Sequence, residues 1–132
     1  MAKTVELMVS EAKRRIRNAT PEEVADDVLA GGLVVVDVRE PDEFEQGHIP
    51  GAVNIPRGWL EFRADPTCPA YDQRIAPDGR LLVTCAIGGR SALAAAALQE
   101  LDYANVTNLE FGFEGWRKAG YPIRQPAGAP VA

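Results

Sequence analysis

Apolar residues recur along this chain at two different spacings, and each spacing predicts a different kind of element. Residues 3–17 place apolar side chains at steps of three and four, which predicts an amphipathic helix. The segment Thr20-Pro21-Glu22-Glu23 has the pattern of a capping box, so a second helix is expected to run to about Leu29. The segments 33–36 and 81–84 instead favour strands buried on both faces of a parallel sheet, and 106–109 predicts a further strand.

Shorter patterns predict the remaining elements. They are a helical turn at 41–44, a strand at 52–55, an irregular stretch over 57–79 with one helical turn near Trp59, an alanine-rich helix at 92–101, a short helix at 115–119 and an extended piece at 121–123. Because strands alternate with helices, the sequence indicates an α/β fold with a parallel sheet and helices on both faces. The carboxyl ends of the strands are the expected place for a site, with Asp37 to Glu40 exposed there and Cys85 to Arg90 nearby.

The composition is that of one globular domain that folds without disulfides or a structural metal. The chain has 132 residues, of which 46% are hydrophobic and 25% are charged. Its two cysteines, Cys68 and Cys85, lack the CxxC spacing and the companion histidines of a zinc site, so no metal is expected. The net charge of −5 argues against binding to nucleic acid, and the basic residues at 13–17 are interpreted as a solvated helix face.

The apolar segments indicate neither membrane insertion nor secretion. The chain has no run of about eighteen apolar residues that could span a bilayer. Glu6 interrupts the segment that would have to form the apolar part of a secretory signal. We therefore expect a cytoplasmic protein with no membrane partner.

Cys85 stands at a junction with unusual electrostatics. It ends a predicted strand and is followed by two glycines, Arg90, Ser91 and a helix. The free amides at a helix N-terminus stabilise a thiolate, and the glycines let the loop backbone curl so that its amides converge on an anion. Cys85 is therefore the candidate nucleophile, and Ser91 is expected to cap the helix. Arg90 is either a surface residue or, in the favoured interpretation, faces the loop centre and adds charge to the anion site. The alternative interpretation is that Cys85 is a small buried hydrophobic residue.

Three segments of the chain match a known family in order and spacing. They are DVREPDEFEQGHIPGAVNIP at 37–56, CAIGGRS at 85–91 and FGFEGWRKAGYPI at 111–123. On these segments the chain resembles the single-domain rhodanese-like sulfurtransferases. The resemblance implies a compact α/β domain with a central parallel sheet of about five strands. We place this domain at 20–124, after an N-terminal helical extension at 1–19 and before a flexible tail at 125–132.

The resemblance also implies a reaction that needs no cofactor. The Cys85 thiolate would attack the sulfane sulfur of a donor, such as thiosulfate or a persulfide, and carry it to cyanide or to a thiol, which could belong to a partner protein. Asp37 and Arg39 match the D-x-R motif of the family and are expected to support the site, whereas His48 matches a structural turn. The residues after the cysteine are expected to bind the anion: Ala86, Ile87, Gly88, Gly89, Arg90 and Ser91.

Two other functions remain open from the sequence. The apolar loop residues Ala86 and Ile87 favour a sulfur-relay or sensing module, which would bind a partner protein and turn over little on its own. A phosphatase or arsenate reductase would share the cysteine loop. The loop from Cys85 to Arg90 counts six residues, as in sulfurtransferases, and is one residue shorter than the loop of the related phosphatases.

Overall fold

A parallel five-stranded sheet forms the centre of the computed structural model, which describes residues 2–125. The strands are β1 (Arg17–Ala19), β2 (Val34–Asp37), β3 (Val53–Asn54), β4 (Arg80–Thr84) and β5 (Asn105–Leu109). The helices are α1 (Val5–Arg15), α2 (Pro21–Leu29), α3 (Pro41–Glu45), α4 (Leu60–Ala64), α5 (Gly89–Glu100) and α6 (Gly112–Lys118), with a 3₁₀ turn at Arg57–Trp59. The strand order β1-β5-β4-β2-β3 puts β4 in the middle, so the loop that follows β4 lies between the ends of its neighbours.

Side chains of the sheet alternate between two separate cores. Val36 and Val83 lie in the core shared with α1, α4 and α5, whereas Val35 and Leu82 lie in the core shared with α2 and α6. Both faces of β2 and β4 are therefore buried, which explains the apolar runs at 34–36 and 81–83 within these strands. Cys85 belongs to the first core, on the side of α5.

The first helix is shorter than predicted because the chain turns into a strand. α1 ends at Arg15 rather than at residue 17, and β1 pairs in parallel with β5 as the edge of the sheet. Asn18 stabilises this turn, since its side-chain amide donates to the carbonyl of Lys13, one of the carbonyls left free at the helix end. The division into an extension at 1–19 and a domain at 20–124 stays a prediction.

Other predicted elements are confirmed with shifts in their ends. α2 begins with the predicted capping box, in which Thr20 and Glu23 each accept a hydrogen bond from the other's backbone amide. α5 begins at Gly89, before the predicted start at residue 92. α6 begins at Gly112 rather than at residue 115, directly after Phe111, whose φ of 65° is left-handed. The stretch 57–79, predicted to be irregular with one helical turn, contains α4 in addition to the 3₁₀ turn at Trp59.

The C-terminal part of the described chain folds back onto the turn that contains His48. Residues 121–123 form no strand, but Arg124 makes an isolated antiparallel bridge with His48. The His48 ring also stacks on Phe44 and bonds to its carbonyl through Nδ1. Within the described residues, no helix is both long and apolar enough to cross a membrane. Most of the predicted tail, residues 126–132, lies outside the described residues.

Candidate active site

The loop between β4 and α5 holds the candidate nucleophile. Cys85 directly follows the last residue of β4, and it is only 1% exposed. Gly88 has a φ of 109°, in the positive range that an L side chain rarely adopts and that glycine adopts freely. This turn carries the chain from the strand into the first turn of α5, where Ser91 is fully buried. The prediction that Ser91 caps this helix is wrong, because Gly88 is the N-cap residue and the Ser91 hydroxyl bonds to Asn108 instead.

Two backbone amides of the loop point at the sulfur. The Gly88 amide donates to Cys85 Sγ at 3.1 Å, and the Ser91 amide donates to it at 3.3 Å. Both amides lie at the N-terminal end of α5, where backbone donors have no carbonyl partner within the helix. The arrangement therefore stabilises negative charge on the sulfur through the backbone alone.

A buried chain of polar side chains continues from the sulfur to the edge of the sheet. Ser91 Oγ lies 3.3 Å from Cys85 Sγ and donates its own hydrogen to Asn108 Oδ1 at 2.6 Å. Asn108 in turn donates to Asn18 Oδ1 at 3.1 Å. Because the Ser91 hydrogen is directed at Asn108, its oxygen faces the sulfur as an acceptor for the thiol proton.

Neither Asn18 nor Asn108 is among the site residues predicted from the sequence. A polar residue at an inward position of a buried strand is the signal that marks Asn108, since such a residue requires a hydrogen-bond partner. Asn18 has no comparable signal, because the strand that contains it is only three residues long.

The first turn of α6 fixes the loop from the other side. The amides of Phe113 and Glu114 donate to the carbonyls of Cys85 and Ala86 at 2.8 Å and 3.0 Å. This close approach requires glycine at position 112, because a Cβ there would lie 2.6 Å from the Cys85 carbonyl oxygen. The loop carbonyls are thus held by α6 while the amides of Gly88 and Ser91 face the sulfur.

Arg90 is bound by Glu43 of α3. Its Nη1 and Nη2 donate to Glu43 Oε1 and Oε2 at 2.8 Å and 3.0 Å, which is a bidentate ion pair. The hydrogen bonds from Arg90 lower the pKa of Glu43 from its usual 4.5 to about 2. The same hydrogen bonds raise the pKa of Arg90, so the guanidinium stays charged and paired.

Asp37 and Arg39 are buried, which corrects the expectation that the charged end of β2 is exposed. Arg39 Nε and Nη2 donate to the Asp37 carboxylate at 2.8 to 3.1 Å, and Nη2 also donates to the Gly47 carbonyl. Pairing offsets the cost of removing both charges from water, which a sequence pattern does not reveal. A direct role of this pair in the site stays a prediction.

The remaining loop side chains give the site an apolar outer surface. Ala86 and Gly89 are partly buried, and Ile87 is 73% exposed. Phe111, which is 61% exposed, lines with Ile87 a cleft of about 310 Å³. The candidate site therefore combines a buried sulfur, two converging amides, a neutralised guanidinium and an apolar surface.

Comparison with known proteins places this geometry in a family. The family model named Rhodanese-like domain matches residues 20–119, a range that includes the whole cysteine loop. The chain belongs to the rhodanese-like domain family. Both the predicted family and the predicted fold, a five-stranded parallel sheet with helices on both faces, are thereby confirmed for this rhodanese-like chain.

Individual relatives of the rhodanese-like chain align over most of their own lengths. The chain is 32% identical over 114 residues to Thiosulfate sulfurtransferase 16, chloroplastic, of Arabidopsis thaliana, an alignment that covers 83% of this chain and 95% of the relative. It is 35% identical over 102 residues to Thiosulfate sulfurtransferase GlpE of Stutzerimonas stutzeri, covering 77% of this chain and 85% of the relative. A solved structure from Rhodopseudomonas palustris, a protein of unknown function described as a possible tyrosine phosphatase, has a TM-score of 0.88 and 36% identity, covering 94% of this chain and 96% of that one.

Proposed function

We propose that this rhodanese-like protein is a sulfurtransferase in which Cys85 carries a sulfane sulfur. The Cys85 thiolate attacks the outer sulfur of the donor and forms a new S–S bond to it. With thiosulfate as donor, the bond between the two donor sulfurs breaks, and its electron pair leaves with sulfite. Cyanide or a thiol then takes the outer sulfur from the Cys85 persulfide and regenerates the thiolate.

The convergence of two amides on Cys85 Sγ is the observation that carries this proposal. The Gly88 and Ser91 amides stabilise the thiolate before the attack, and they remain next to the anionic persulfide after it. Both steps are nucleophilic substitutions at sulfur, so neither a metal nor an organic cofactor is needed. The names of the Arabidopsis and Stutzerimonas relatives, both thiosulfate sulfurtransferases, support the same reaction.

Intact-mass measurement tests the proposal directly. The purified protein is treated with a sulfane-sulfur donor, either thiosulfate or benzenethiosulfonate, and then with cyanide. The expected result is a gain of one sulfur atom that cyanide removes. Cys85→Ala is expected to gain nothing, whereas the matched variant Cys68→Ala, which removes the other free cysteine, is expected to load like the unchanged protein. A gain that persists in Cys85→Ala would refute Cys85 as the carrier.

A sulfur-relay module is the second candidate function. The observation that favours it is the exposed Ile87, which places an apolar contact surface next to the buried thiol. A relay module is expected to load sulfur onto Cys85 once but to release it slowly to cyanide or small thiols. Rapid multiple turnover with small acceptors would favour the free-standing enzyme instead.

A further inference from the structure

The positive charge of the cysteine loop is already neutralised within the protein. Arg90 is held by both carboxylate oxygens of Glu43, at 2.8 Å and 3.0 Å. The Glu40 amide also donates to Glu43 Oε1 at 3.1 Å, so the backbone at the start of α3 helps to fix the carboxylate. An anion that enters the loop therefore meets an ion pair rather than a free guanidinium.

The loop offers no other cationic or hydroxyl side chain in its first half. Ala86 and Ile87 are apolar, and the next two residues are glycines. Thiosulfate is a strongly hydrated dianion, and its transfer into a protein site is costly unless opposite charge replaces the lost water. The backbone amides of the loop therefore compensate the lost hydration of a dianionic donor less well than that of a donor with one negative charge.

An apolar cleft stands beside the loop instead. Ile87 and Phe111 line it with Glu114, Gly115 and Lys118, so the charged side chains at its edge have opposite signs. Phe111 is exposed, and its backbone has a left-handed conformation that is unfavourable for a residue with a side chain. Position 115 must be glycine, because a Cβ there would collide with the Phe111 side chain. Neither burial nor local backbone preference accounts for an aromatic side chain at this position.

We propose that Glu43, by binding Arg90, makes the site selective for organic sulfane-sulfur donors over thiosulfate. These donors carry one negative charge, and their apolar carrier lies against Ile87 and Phe111. This inference rests on the proposed function of Cys85. The donor class is an organic persulfide, R–S–S⁻. Cys85–S⁻ bonds to its outer sulfur, the donor S–S bond breaks, and the electron pair leaves with the carrier as R–S⁻, so no oxidant or reductant is consumed.

Two donors with related chemistry test this selectivity. Thiosulfate is the inorganic dianion, and benzenethiosulfonate is a monoanion that carries an aryl group. Each gives up its outer sulfur to Cys85, with sulfite or a sulfinate as the leaving group, and cyanide converts that sulfur to thiocyanate for detection. The unchanged protein is expected to use benzenethiosulfonate with kcat/KM at least about tenfold higher than thiosulfate, equivalent to ~1.4 kcal/mol.

Charge variants separate the role of Glu43 from a general charge effect. Glu43→Gln frees Arg90 and is expected to raise kcat/KM for thiosulfate by about five- to tenfold, mainly through a lower KM. The matched control is Glu45→Gln, which makes the same charge change at an exposed position of α3 and is expected to have no effect. The double variant Glu43→Gln/Arg90→Gln is expected to lose the gain, because the freed guanidinium is its source.

Truncation of the aromatic side chain tests the cleft. Phe111→Ala is expected to lower kcat/KM for benzenethiosulfonate about fivefold or more, and to lower kcat/KM for thiosulfate by a smaller factor. The inference would be overturned if the unchanged protein had equal kcat/KM for both donors. It would also be overturned if Glu43→Gln changed kcat/KM for thiosulfate no more than Glu45→Gln does, while Cys85 still loads sulfur. Failure of both donors to load Cys85 in the intact-mass measurement would overturn the proposed function and this inference together.

Discussion

Substitution of Gly112 by alanine is the sharpest test of how the cysteine loop is held. Gly112 has a φ of 57°, and a Cβ there would lie 2.6 Å from the carbonyl oxygen of Cys85 and 2.7 Å from two atoms of the Ala86 carbonyl. All three are backbone atoms, so no side chain can rotate away. Either the loop or α6 must move.

The expected loss of stability follows from the bonds that this movement breaks. A left-handed backbone costs an alanine about 1 kcal/mol, and loss of the Phe113 and Glu114 amide bonds to the loop carbonyls costs about 1 kcal/mol each. The total for Gly112→Ala is therefore about 3 kcal/mol. Gly51→Ala is the matched control, because Gly51 has a φ of 80° and nothing within 4 Å of its Cβ position. That variant is expected to lose only about 1 kcal/mol.

Equilibrium unfolding in urea measures both variants on one scale. The midpoint for Gly112→Ala is expected to fall by about 1 to 3 M, and that for Gly51→Ala by less than half as much. The same Gly112 variant is expected to load sulfur onto Cys85 more slowly, since displacement of the loop separates the Gly88 and Ser91 amides from the sulfur. If the two alanine variants unfold at the same midpoint, α6 does not fix the loop and the reasoning is refuted.

Three further predictions concern polar contacts around the site. Ser91→Ala leaves the buried Asn108 Oδ1 without its hydroxyl donor and should lower the free energy of unfolding by about 1–3 kcal/mol, as measured by urea unfolding; an unchanged midpoint would contradict this hydrogen bond. Arg39→Lys keeps the charge but loses the bidentate contact with Asp37, so a loss of about 3 kcal/mol is expected in urea unfolding, and an unchanged midpoint would contradict the buried pair. The pKa of Glu43 is about 2 in the folded protein and near 4.5 when unperturbed, so its stabilising effect is present above pH 4.5 and is lost as the pH falls toward 2. Unfolding midpoints of the unchanged protein and Glu43→Gln should therefore converge over that range, and a constant gap would contradict the ion pair.

The central strands could be predicted from sequence because burial on both faces leaves a simple mark. β2 and β4 each contain a continuous apolar run, and the predicted strands at 33–36 and 81–84 differ from the observed ones by a residue at one or both ends. The position of the cysteine loop followed from the same pattern, because a strand, two glycines and an alanine-rich helix leave few ways to connect them. Local sequence is sufficient where an element has enough consecutive buried residues.

Contacts between distant residues could not be predicted in the same way. The Arg90–Glu43 pair joins residues 47 positions apart, and the Asn108–Asn18 bond joins residues 90 positions apart. Burial of Asp37 depends on its partner, since the carboxylate enters the core only because Arg39 accompanies it. In each case the hydrogen-bond partner of the polar or charged side chain lies in another element or an adjacent turn. Without knowledge of that partner, a polar or charged residue is expected at an exposed position.

Stabilisation of the Cys85 sulfur and selection of the donor depend on different parts of the fold. Backbone amides stabilise the sulfur, and they do so for any sequence that keeps the turn at Gly88 and the start of α5. Selection among donors then depends on side chains outside the loop: Glu43 on α3 controls the charge of Arg90, and Phe111 before α6 provides an apolar contact. Substitutions at Glu43 and Phe111 should therefore change which donor is used without changing how the cysteine is activated, whereas substitutions at Gly88 should lower activity with every donor equally.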